Sequence, residues 1–78
     1  MENYATATWK IVKTGVLIEA VLDVESTKGW LGACVVSVHT SKAAELEQKC
    51  YDEADRRAKE AGVRLERLTQ ITASHMSL

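Results

Sequence analysis

The sequence predicts an α+β fold: one helix packed on a small antiparallel sheet, with the elements in the order βββαβ. Two observations predict it. Three segments of strand-forming residues fill the first half of the chain and are separated by short turns that contain glycine. A segment rich in Ala, Glu, Lys and Arg follows, stops at Gly62, and leads into one more strand-like segment. A chain of 78 residues has room for a single domain, residues 1–78, in which 73–78 are expected to form a frayed tail.

The first predicted strand runs from Tyr4 to Lys13 and has the cleanest alternation of apolar and polar residues in the chain. Because successive side chains of a strand point to opposite faces, one face of this strand suits a core and the other suits water. We therefore expect it to be half-exposed and to lie near an edge of the sheet. Turns at Gly15 and Gly29 should connect it to two further strands in an antiparallel meander.

The second and third predicted strands, Val16 to Val24 and Trp30 to Val38, have apolar residues at both parities. A single helix covers only one face of a sheet, so apolar side chains remain for the other face. The large core residues expected from the whole chain are Trp9, Ile18, Leu22, Trp30 and Leu46. The surplus apolar face is expected to contain Leu17, Val21, Leu31, Ala33 and Val35, bordered by Glu19, Asp23 and Glu25.

A helix is predicted from Lys42 to Ala61, with Thr40 and Ser41 as candidate N-cap residues and Gly62 as the C-cap. Its small apolar residues recur at spacings of three and four, which places them on one face. The expected buried stripe is Ala43, Leu46, Cys50, Ala54, Ala58 and Ala61, with Tyr51 at its border. The outer face has four acid-base pairs at i, i+4: Glu45 with Lys49, Asp52 with Arg56, Glu53 with Arg57, and Asp55 with Lys59.

The last segment, Val63 to Ala73, is ambiguous. Its Thr and Ile residues favour a strand, with a bulge near Arg67. The spacing of three from Leu65 through Leu68 to Ile71 also suits a helix. The strand is the favoured interpretation, because a glycine separates this segment from the preceding helix.

The run ADRRAKEAGVRLERLTQI, at residues 54–71, resembles the helix-to-strand passage of the bacterial SIMPL-type domains. That passage often consists of an Ala- and Arg-rich helix, then AGV, then a Leu-rich strand. The likeness covers under a quarter of the chain, and any helix-to-strand crossover with a glycine cap shares it. We therefore draw no family assignment from it.

The sequence has no catalytic, cofactor-binding or metal-binding signature. Cys34, His39, Cys50 and His75 are residue types that bind zinc, but their spacing matches no known zinc motif, and Cys34 and His39 have opposite parity on one strand. Neither cysteine lies where a thiolate is favoured, so we expect two buried thiols in a reducing compartment. The expectation is a non-enzymatic protein with no cofactor, no metal and no small-molecule substrate.

The balance of charges excludes a strong long-range field. The chain has ten Lys and Arg residues and eleven Asp and Glu residues, so its formal charge is −1 at pH 7. The first ten residues lack the pattern of a leader peptide, and no apolar run approaches the ~20 residues of a membrane-spanning helix. We expect a soluble, cytoplasmic protein without a membrane partner.

The leading hypothesis is a small non-enzymatic protein-binding module, an inhibitor or adaptor of a macromolecular partner, that forms a homodimer. An apolar centre with a charged rim is typical of protein interfaces. The residues assigned to this interface are Leu17, Glu19, Val21, Asp23, Glu25, Leu31 and Val35. Size and architecture are compatible with the inhibitors that phages and mobile elements direct against host machinery such as a CRISPR complex.

The alternative hypothesis is a nucleic-acid-binding module. Arg56 and Arg57 at the end of the helix, together with Arg64 and Arg67 in the last segment, would supply its basic surface. Tyr51 is the aromatic residue near them, and single-stranded nucleic acid is usually bound on several aromatic side chains. Nucleic acid is therefore the disfavoured partner.

Overall fold

A computed structural model describes residues 2–72, and in this range the chain forms four strands and one α-helix. The strands are β1 (Tyr4–Lys13), β2 (Leu17–Ser26), β3 (Gly29–His39) and β4 (Arg64–Gln70). A 3₁₀ segment, Thr40–Glu45, leads into the helix α1 (Leu46–Glu60). The α+β class and the order βββαβ are confirmed. The predicted frayed tail, 73–78, lies outside the described residues.

The sheet is mixed rather than wholly antiparallel, with the strand order β3-β2-β1-β4. β1 and β3 both pair antiparallel with β2, whereas β4 pairs parallel with β1. The reason is the crossover: α1 carries the chain back along the sheet, so β4 runs in the same direction as β3 and therefore as β1. This pairing makes β1 an inner strand, and the prediction that it lies near an edge is wrong.

The core lies between one face of the sheet and α1. Ala5, Ala7 and Trp9 of β1 face α1, as do the buried alternate residues of β2 from Ile18 to Val24. The helix contributes the predicted residues Leu46, Cys50, Ala54 and Ala58. Among the described residues, five of the thirteen that form the buried core are alanines, which let the helix approach the sheet closely but bury little apolar area each.

A β-bulge in β3 decides which side chains reach this core. The register pairs Val24 with Gly32 and Glu25 with Trp30, so Leu31 is the extra residue. Leu31 packs against the core, whereas 66% of Trp30 is exposed on the opposite face. The prediction that Trp30 is a core residue is wrong, because the extra residue reverses the parity of every position before it.

Gly32 and α1 hold the bulge in place. Gly32 has φ +108°, a backbone conformation that other residues rarely adopt. The Arg57 guanidinium lies directly over Gly32, where Nη1 donates to the Leu31 carbonyl at 3.0 Å and Nε donates to Glu53 at 2.9 Å. Hydrogen bonds from Arg56 and Arg57 hold the pKa of Glu53 below its usual value. Glu53 therefore remains an anion that orients the Arg57 side chain at neutral pH.

The helix begins later than predicted and ends at Glu60, one residue before the predicted end at Ala61. Lys42 has non-helical dihedrals (φ −119°, ψ 30°), and the first four residues of the predicted helix, 42–45, belong to the 3₁₀ segment instead. Ala43 is exposed rather than buried. The His39 side chain, rather than Thr40 or Ser41, accepts the capping hydrogen bond, from the Ser41 amide. At the other end, Gly62 has φ +75° and completes a Schellman cap with its neighbour Val63.

The bulge predicted near Arg67 is confirmed in β4. The register pairs Leu65 with Ala5 and Arg67 with Thr6, so Glu66 is the extra residue. This shift puts Leu65 and Leu68 on the same side, where both pack against the core. Their spacing of three, which also suited a helix, is thus the consequence of a bulged strand.

Replacing Gly32 by alanine should destabilise the fold by about 1–3 kcal/mol, because alanine would have to hold a positive φ and its Cβ would collide with Arg57. Gly15→Ala is the matched control. Gly15 lacks a positive φ, and the nearest atom to an added Cβ is 3.9 Å away, so the expected change is within about 0.5 kcal/mol. Urea unfolding followed by far-ultraviolet circular dichroism compares the two, and equal losses would contradict the bulge.

Candidate protein-binding surface

The side of the sheet opposite α1 is not covered by any element within residues 2–72, and we call it the open face. Its most exposed large apolar residues are Trp30 and Val35 of β3, at 66% and 61% exposure, followed by Leu17 of β2. Val21 of β2 lies directly opposite Val35. These four residues form an apolar strip along β3 and the neighbouring side of β2.

An acidic stripe runs along β2 beside this strip. Glu19, Asp23 and Glu25 occupy alternate positions of the strand, with Val21 between the first two. The Trp30 indole Nε1 donates to Asp23 Oδ1 at 2.5 Å. This bond fixes a large aromatic side chain in the exposed strip while leaving its ring face accessible, which is an arrangement suited to anchoring a partner.

The other half of the open face has the opposite sign of charge. On β1, Lys10 lies opposite Val21 and Lys13 lies opposite Glu19. Further along β1, Thr6 pairs with Glu25 on one side and with Arg67 of β4 on the other. The open face is therefore apolar along β3, carries the three carboxylates interspersed with Leu17 and Val21 on β2, and is basic or hydroxyl-bearing on β1 and β4.

The structure brings most of the predicted interface together. Leu31 is the exception, because the bulge turns it towards α1, where it packs against the core. Trp30 takes its place on the open face and was missed by the parity argument. A glycine inside a strand often marks a bulge, so Gly32 was the sequence signal for this exchange. The predicted interface residues that share the open face are Leu17, Glu19, Val21, Asp23, Glu25 and Val35, and Ala33 of the predicted surplus apolar face lies among them.

The four arginines of the predicted nucleic-acid surface are divided between the two edges of the sheet. Arg56 and Arg57 lie on α1 and border depressions on the β3 side. Arg64 and Arg67 belong to β4, at the opposite edge. Carboxylates already pair with three of them: Glu53 and Glu60 with Arg56, Glu53 with Arg57, and Glu2 and Glu66 with Arg64.

The predicted ion pairs of the helix are partly present. Glu53 with Arg57 and Asp55 with Lys59 are confirmed, at 2.9 and 3.0 Å. Asp52 instead accepts a hydrogen bond from Gln48 at 2.9 Å. The outer surface of α1 therefore consists of solvent-exposed side-chain pairs at i, i+3 and i, i+4, and each pair stabilises the helix by about a few tenths of a kcal/mol.

The two cysteines differ in environment. Cys34 is half-buried on β3, and Cys50 is fully buried on α1; neither forms a disulfide. Burial, with smaller contributions from Cys34 and Glu47, raises the pKa of the Cys50 thiol to about 11. Within residues 2–72 no three His, Cys, Asp or Glu side chains are grouped to hold a metal ion, and His75 lies outside that range. No helix in the described part of the chain is long and apolar enough to cross a membrane.

Comparisons with protein-family models, with curated protein sequences and with solved structures found no match to this chain.

The buried thiol yields a prediction about pH. In a Cys34→Ser variant, a thiol reagent should modify Cys50 only as fast as the protein unfolds, because the side chain is inaccessible and protonated. Its folded pKa lies above its unfolded value, so its contribution to stability is complete at neutral pH. That contribution is lost as the pH rises from about 9 through about 11.

The control for this prediction is Cys50→Ala. The fall in midpoint temperature between pH 9 and 11 should be steeper in the parent protein than in this variant, and the difference between the two isolates the contribution of the Cys50 thiol. Rapid modification of Cys50 in the folded protein would contradict the prediction.

Proposed function

We propose that this protein is a non-enzymatic binding module that acts as an inhibitor or adaptor of a protein partner through its open face. The observation that supports the proposal best is the exposed apolar strip of Trp30, Val35, Val21 and Leu17 beside the acidic stripe of β2. Exposed aromatic and aliphatic residues next to like-signed charges are typical of interfaces in which a few anchors provide most of the affinity.

The acidic stripe points to a partner with a basic surface. Glu19, Asp23 and Glu25 lie on one face of one strand. A partner with Lys or Arg residues around an apolar patch would therefore match the acidic stripe and the apolar strip at once. Such a stripe also presents negative charges in a row, as the backbone of a nucleic acid does. A partner that normally binds nucleic acid is therefore a suitable target for an inhibitor of this kind.

Inhibitors that phages and mobile elements direct against host complexes, including CRISPR complexes, belong to this functional class. Three features support that finer assignment: the small size of the chain, a mode of action that uses a binding surface instead of a catalytic site, and the acidic stripe. A cytoplasmic location forms part of the same proposal.

Reversal of the acidic charges tests the open face. Asp23→Lys combined with Glu25→Lys should abolish capture of a basic protein partner, and raising the salt concentration should weaken capture by the parent protein steeply. Val21→Glu should also abolish capture, by placing a charge in the apolar strip, while leaving the fold intact because the side chain is not in the core. Pull-down from host lysate with quantitative mass spectrometry measures the loss.

Two controls make this result specific. Glu45→Lys combined with Glu47→Lys introduces the same charge change beside the start of α1, away from the open face, and should leave capture unchanged. Asp23→Asn keeps an acceptor for the Trp30 indole and should cause a smaller loss than the lysine variant. Equal capture by all variants would contradict the proposal.

Nucleic acid remains the alternative partner, and fluorescence anisotropy with labelled single-stranded DNA and RNA distinguishes it. The divided positions of the four arginines, and the ion pairs of Arg56, Arg57 and Arg64, lead us to expect no binding at physiological salt. Salt-sensitive binding that is lost on Arg64→Ala combined with Arg67→Ala would favour the alternative over the protein partner.

A further inference from the structure

β3 is an edge strand that lacks the usual protection of sheet edges. It spans Gly29–His39, pairs with β2 on one side only, and contains no Asp, Glu, Lys, Arg or Pro. Residues 32–39 pair with β2 in unbroken register. The backbone N–H and C=O groups that point away from β2 have no neighbouring strand within residues 2–72, so they can pair with a further strand.

The opposite edge is shorter and charged, and its bulge interrupts the paired residues, whereas the bulge of β3 at Leu31 precedes the regular residues 32–39. β4 has seven residues, a bulge at Glu66 and charged side chains at Arg64, Glu66 and Arg67. Bulges and charges are the features that prevent strands from pairing edge to edge. The contrast between the two edges identifies β3 as the edge that remains open to association.

The space beside β3 can receive the side chains of an added strand. A groove of about 540 Å³ lies between β3 and α1. Cys34 and Val36 are half-buried there and pack against the core. The helix side of the groove is formed by Lys49, Asp52, Glu53 and Arg56. Small apolar side chains of an added strand would therefore contact Cys34 and Val36, at the edge of the core.

We propose that β3 pairs antiparallel with β3 of a second copy of this chain, about a two-fold axis that passes beside Val35. This register uses the regular part of the strand, from 32 to 38, and places Cys34 of each copy opposite Val36 of the other. Because the axis is perpendicular to the sheet, both helices lie on one side. The two open faces then form one continuous surface on an eight-stranded sheet.

Three observations favour a second copy as the occupant. β3 is uncharged, so two copies meet without like charges opposite each other. The half-buried Cys34 would be covered by Val36 of the other copy, and Val36 by its Cys34, which extends both cores. The core of one chain is small and rich in alanine, and domains of this size commonly gain stability by association.

Solution mass, measured by light scattering after gel filtration, is the first test. We expect twice the 8.6 kDa of one chain. Val35→Lys places two ammonium groups opposite each other at the axis, and should raise the dissociation constant of the dimer about 10-fold or more. Within its own chain Val35 lies opposite Val21, which stands between Glu19 and Asp23 on the open face of β2. The fold should therefore tolerate lysine at position 35.

The matched control is Thr69→Lys, which adds the same charge to an exposed residue at the β4 edge and should leave the dimer unchanged. Cross-linking locates the contact. In a Cys34→Ser background, Val35→Cys should give a covalent dimer on mild oxidation, whereas Thr69→Cys should not. A monomeric parent protein, a dimer indifferent to Val35→Lys, or cross-linking at position 69 instead of 35 would each overturn the proposal.

This inference does not rest on the open-face function, and because Val35 belongs to both surfaces, the variants of Asp23 and Glu25 are the ones that separate the two. Asp23 and Glu25 lie on β2, one strand away from the edge, so their reversal should abolish partner capture while the dimer persists. A monomeric parent protein would overturn the dimer but not the open-face function, which the Asp23 and Glu25 variants test without changing Val35.

Discussion

The contact between Arg57 and the bulge of β3 determines which residues this protein presents to its surroundings. Leu31 is an extra residue in the strand, and its carbonyl accepts a hydrogen bond from the Arg57 guanidinium. Only glycine leaves room for that guanidinium at position 32. The extra residue turns Leu31 towards the helix and Trp30 to the opposite side. A strand that would otherwise bury its tryptophan thus contributes it to the open face.

The rest of the architecture follows from having a single helix for a four-stranded sheet, within residues 2–72. The domain is flat, with Cα extents of 42 × 30 × 16 Å, so one face of the sheet meets α1 and the other meets solvent. Alanines bring the helix close to the sheet but provide little buried area. The thin core, the uncovered face and the unprotected β3 edge are consequences of the same shortage of covering elements. They are the observations on which both proposals of association rest.

Alternation and helical spacing were sufficient to predict the elements, because both reflect the burial of one face of each segment. They gave the four strands, the stripe from Leu46 to Ala58 and the bulge near Arg67. Parity could not place Trp30 and Leu31, since a single inserted residue reverses it. The parallel pairing of β4 depends on the path of the crossover, which leaves no local pattern. The late start of α1 depends on the backbone conformation of Lys42, which no residue pattern indicates. The acidic stripe, in contrast, was predictable, because β2 has no bulge and its alternation holds throughout.

The exposure of Trp30 is the most direct test of this account. In a Trp9→Phe variant, Trp30 is the sole source of tryptophan fluorescence, and at micromolar concentration its emission can be titrated with acrylamide. The account predicts emission at long wavelength and quenching close to that of free tryptophan, because 66% of the side chain is exposed. Emission at short wavelength with weak quenching would mean that Trp30 lies in the core. It would contradict the bulge and the composition of the open face together.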